Sequence, residues 1–76
     1  MGWTKPHHGV SHLMDTPVFL QATIEEFEDW THGYVLSRNS PTPFTPIDER
    51  LFDGADHVDA AKRWLEQRAM EIGGAL

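Results

Sequence analysis

Cysteine is absent from this 76-residue chain, which closes two usual routes to a stable small fold. No disulfide can staple it, and the thiolate zinc sites that hold many short domains are excluded. Long apolar runs are missing as well: nothing approaches the roughly 20 residues that cross a bilayer as a helix. Basic residues are scarce, with 6 Lys and Arg against 12 Asp and Glu and a formal net charge of −6. That balance is wrong for direct contact with nucleic acid, where cationic contacts to phosphate supply most of the affinity. It is equally wrong for an anionic membrane surface. The N-terminus lacks the basic-then-apolar order of a secretion signal. The expectation is a cytoplasmic protein with neither nucleic acid nor membrane as a direct partner.

Catalytic signatures are missing too. Ser11, Ser37 and Ser40 lie outside any G-x-S-x-G turn, and the scattered glycines form no phosphate-binding loop. His32 and His57 each lie near carboxylates, which is unavoidable in so acidic a chain, and His57 reads as a surface residue. His7, His8 and His12 cluster near Asp15. The step from His8 to His12 would align two metal ligands on a helix. However, Gly9 and Pro6 oppose a helix there, and a site needs further ligands held by hydrogen-bond partners of their own. No catalytic residue, cofactor or metal is therefore expected.

The clearest element is a helix over Ala55–Ile72. Val58, Ala61, Leu65, Ala69 and Ile72 recur at steps of three, four, four and three, which forms one stripe at 3.6 residues per turn. Trp64 flanks the stripe; Asp59, Arg63, Gln67 and Met70 point away from it. Asp53 or Asp56 supplies a carboxylate cap, and Gly73-Gly74 ends the helix where positive φ is tolerated. The small alanines predict close approach to a flat surface such as a sheet.

Residues Val18–Asn39 support two readings. Alternation of Val18, Leu20, Ala22 and Ile24 with Phe19, Gln21, Thr23 and Glu25 has the period of a strand. A turn at Trp30–Tyr34, using Gly33, would then return the chain through Tyr34-Val35-Leu36 as a β-hairpin. Alternatively, Thr16 and Pro17 start a helix with Leu20, Ile24, Phe27, Thr31 and Tyr34 as its stripe. That helix would carry Glu25, Glu26, Glu28 and Asp29 in its C-terminal half, the wrong end for its dipole, so the hairpin is preferred. The same four acids form an acidic patch. A solvated strand edge explains it, and imitation of a nucleic-acid backbone is the sharper alternative.

The stretch from Ser40 carries Pro41, Pro43 and Pro46 and reads as an extended loop. A strand at Ile47–Phe52 then feeds the helix. The resulting order ends in FDxxxxxxxAxxWL, from Phe52 to Leu65. It resembles in style the short acidic products of phages and integron cassettes; the pattern is unspecific, and the resemblance carries over no functional residue.

The sequence thus predicts an α+β fold, with an antiparallel sheet of about three strands and one C-terminal amphipathic helix across one face. Three helices in an all-α fold are the alternative. Residues 1–17 form an N-terminal arm, with a short extended piece around Val10–Met14 and Trp3 as an anchor on its own domain or a neighbour. Residues 18–76 form one domain. A chain this short buries only about 60% of its unfolded surface, and small proteins without disulfides often add a second subunit. The leading functional expectation is a non-catalytic interaction module of the phage or mobile-element accessory type. It would be a homo-oligomer, with a dimer favoured, and a foreign protein partner stays open. Trp30, Tyr34, Phe44 and Met70 are the expected contact surface. The alternatives are an acidic inhibitor of a nucleic-acid-binding protein, using the patch above, and a small-ligand or enzymatic site in an oligomer cleft.

Overall fold

The computed structural model describes residues 2–17, 19–38 and 45–74. Four strands, β1 (Val10–His12), β2 (Leu20–Glu26), β3 (Trp30–Ser37) and β4 (Asp48–Asp53), precede one helix, α1 (His57–Gly74). The strands form one antiparallel sheet in the order β1-β2-β3-β4. The fold is α+β, with a hairpin rather than a helix over the ambiguous stretch. The sheet has four strands instead of about three, because Val10–His12 pairs with β2.

Alternation along the strands decides what each face carries. Leu20, Ala22 and Ile24 of β2 and Thr31, Gly33 and Val35 of β3 are buried beneath α1, against Ala61, Leu65 and Ala69. The expected stripe is therefore the packed face of the helix. The helix lies close to the sheet where Leu65 meets Gly33. A Cβ built on Gly33 would stand 3.3 Å from Leu65 Cδ1, tighter than ordinary packing. This corrects the expected turn at Trp30–Tyr34. Gly33 lies inside β3, where it makes room for Leu65, and the chain reverses at residues 27–29, closed by Phe27 N–H donating to the Trp30 carbonyl at 2.8 Å.

One further glycine differs from expectation. Gly73 is helical, and a Cβ there would meet Pro17 Cγ at 3.0 Å, so close packing rather than positive φ explains it. At the other end, Gly54 has φ +97° and turns β4 into α1. Asp56 precedes the helix and accepts the Ala60 N–H on its carbonyl at 2.9 Å. Arg68 Nε donates to Asp48 Oδ2 at 2.7 Å, tying α1 to the start of β4. That bond holds the guanidinium even more firmly in its charged form.

The N-terminal segment runs back along β1. Thr4 N–H donates to the His12 carbonyl, and Trp3 bridges to Leu13. The Trp3 ring packs against the core, and its Nε1 donates to Glu66 Oε1 at 2.9 Å. The expected anchor therefore docks on its own helix. Among the described residues, no helix is long and apolar enough to cross a membrane.

Candidate interaction surface

The alternation that buries one face of the sheet sends the other side chains to a face that, among the described residues, no helix covers. The registers Thr23↔Tyr34↔Glu49 and Glu25↔His32↔Leu51 run across this face. At its centre Thr23 is buried despite the missing helix. It lies between Tyr34 and His12 in the strand register. The His12 Nδ1 stands 2.9 Å from the Thr23 hydroxyl oxygen.

His32 lies between two carboxylates contributed by the strands on either side. Its Nε2 is 3.1 Å from Glu49 Oε2 and its Nδ1 is 3.7 Å from Glu25 Oε1. The Tyr34 ring sits 5.0 Å from the imidazole, centroid to centroid. Burial, reinforced by the Glu25 charge and a hydrogen bond to it, holds the Tyr34 hydroxyl above its ordinary pKa. Together with Leu36 and Pro46 these groups line an open hollow of about 310 Å³. Two carboxylates beside aromatic rings suit positive charge, by ion pairing and by the negative ring face.

One end of the same face is apolar. Trp30 stacks on Phe27 at 4.1 Å between ring centroids. Leu51, in the next strand, is 66% exposed, with Phe27 at 44% and Trp30 at 39%. Asp29 and Asp53 border Trp30 and Leu51 in a second hollow. Exposed large side chains gathered in one place, with a charged rim, are the usual form of a contact site.

Of the residues singled out in the sequence, Trp30 and Tyr34 lie on this face. Met70 is exposed at 63% but belongs to α1, on the other side of the sheet, so the structure does not join it to them. Phe44 and most of the proline-containing loop lie outside the described residues. The four acids separate. Glu25 faces His32, whereas Glu26, opposite Thr31, points to the helix side. Glu28 and Asp29 are exposed between β2 and β3.

His7 and His8 stack edge to face at 4.3 Å, while His12 turns to Thr23. Among the described residues, no three His, Asp or Glu side chains are grouped to hold a metal ion. His57 departs from its expected surface role: its Nδ1 is 2.6 Å from the buried Thr31 hydroxyl. In the sequence His32 is discounted, and Glu49 and Leu51 are not singled out. The signal that could have found His32 is the strict alternation Trp30, His32, Tyr34, Leu36 once Gly33 is placed inside the strand; Glu49 and Leu51 join it only through the pairing of β3 with β4. Comparison with protein-family models, with curated proteins and with solved structures finds no match.

Proposed function

We propose that the protein is a non-catalytic interaction module that docks a protein partner through the helix-free face of its sheet. The observation that carries this reading is the exposure of Phe27, Trp30 and Leu51 together at one end of that face. The apolar surface that this cluster still exposes gains from burial, at about 25 cal/mol per Å². The flanking Glu25, Glu49 and Asp53 supply a polar rim that selects partners by charge.

The same apolar cluster favours a second reading, association of two copies of this chain, with a dimer as the first assembly. One experiment separates the outcomes. A photo-crosslinking residue placed at Leu51, with a control at Gln67 on the outer side of α1, is expressed in the source cells. Cross-links to another protein from Leu51 alone support the first reading, and cross-links to its own chain support the second. Equal labelling from both positions, or none, overturns the helix-free face as the contact surface.

A further inference from the structure

Strand β4 is an edge of the sheet, and among the described residues β3 is its only strand neighbour. An edge strand offers a row of unpaired backbone N–H and C=O groups to any extended chain. The side chains of β4 are sorted by face. On the helix side Asp48 is taken by Arg68, and the Arg50 guanidinium stands 5.2 Å above the Phe52 ring. On the helix-free side Glu49, Leu51 and Asp53 follow at every second residue, all exposed. Thus the face that is open reads acid, aliphatic, acid, and the only cation of the strand is turned away from it.

We propose that β4 accepts an extended basic segment of another protein as an additional strand, with the pattern basic-x-aliphatic-x-basic. The two cationic side chains face Glu49 and Asp53, and the aliphatic one covers Leu51. The pattern is symmetric, so it suits an added strand running in either direction. Backbone pairing supplies attachment and the alternate side chains supply selection.

The same charges disfavour a second copy of β4 in its two central registers. With the helix-free faces kept on one side, pairing centred on Leu51 opposes Glu49 to Asp53. Pairing centred on Arg50 opposes that residue to itself. Like charges directly opposite one another are destabilising.

This inference rests on the reading of the chain as an interaction module, and it has its own test. The probe is a dye-labelled peptide, Thr-Lys-Thr-Val-Thr-Lys-Thr, followed by fluorescence anisotropy at about 50 mM salt, where charge contacts are little screened. Its counterparts carry Glu in place of Lys, or Pro in place of Val. The basic peptide is expected to bind at least about tenfold more tightly than either counterpart. The combined change Glu49→Gln and Asp53→Asn is expected to lower that affinity about tenfold, with the circular dichroism spectrum unchanged. If the basic peptide fails to bind, or binds no better than the acidic one, or ignores the amide substitutions, strand addition is overturned. Cross-linking from Leu51 would still stand in that case, so failure here is distinct from failure of the face itself.

Discussion

The Thr31 hydroxyl and the His57 imidazole are joined by a 2.6 Å hydrogen bond between Oγ1 and Nδ1. It links the start of β3 to the first turn of α1. Thr31 is wholly buried, so its hydroxyl depends on this partner. His57→Leu fills the space and removes the bond. It is expected to cost about 1–3 kcal/mol, the range for stranding a buried polar group. Adding Thr31→Val removes the stranded hydroxyl and should recover part of the loss. Urea unfolding of the four proteins in the cycle gives the coupling; strictly additive losses would show that the pair does not act together.

The N-terminal segment is held by a two-residue turn. His7 and Val10 exchange backbone bonds of 2.9 and 3.0 Å, and the residues between them, His8 and Gly9, have φ of 53° and 79°. A turn with both central residues in the left-handed region favours Asn-Gly. Gly9→Ala adds a Cβ 2.9 Å from the Glu26 carbonyl oxygen, in a backbone region that already strains an L residue. A loss of about 1–2 kcal/mol is expected. His8→Asn keeps the turn with a residue better suited to it and should gain up to about 1 kcal/mol. Thermal unfolding of both variants checks the pair, and effects of the opposite sign would rule out the turn as the cause.

How much of this was legible follows from which contacts are local. The α1 stripe was readable because Ala61, Leu65 and Ala69 repeat along one helix, and β2 because its alternation runs unbroken from Leu20. Gly33 misled because glycine serves equally in a turn and under a close neighbour; only the placement of Leu65, far along the chain, decides between them. The three residues of β1 are too few to show a period. On the open face, Trp30 and Tyr34 drew notice by size alone. His32 and Glu49 meet through the pairing of β3 with β4, which no spacing in the sequence records. Glu25 and Glu26, adjacent in the chain, parted because successive strand residues face opposite ways.

Ser11 offers a stabilising change. It lies on the helix side of β1, opposite Ile24, and is fully buried. Among the described residues, its hydroxyl has no hydrogen-bond partner. Burying an unpaired hydroxyl costs roughly 1–3 kcal/mol by mutational data. Ser11→Ala keeps the size of the side chain close and removes the orphan group. A gain of about 1 kcal/mol is expected in denaturant midpoint analysis with an unchanged slope. A loss of stability would mean that the hydroxyl is bonded after all.

Tyr34 lowers the stability of the fold at alkaline pH. Burial and the nearby Glu25 raise its pKa above the ordinary value of 10.0. The folded protein therefore keeps this proton where the unfolded chain gives it up. Stability from this source is complete below pH 10.0 and is lost as pH climbs from there through the folded-state value. Tyr34→Phe removes the titration while keeping the ring beside His32. Its stability relative to the wild type should be constant at neutral pH and should improve progressively above about pH 10, where the wild-type phenol begins to favour the unfolded chain. Chemical denaturation at a series of alkaline pH values measures that difference. Two parallel curves would mean that the phenol ionises as easily in the folded protein as in the unfolded chain.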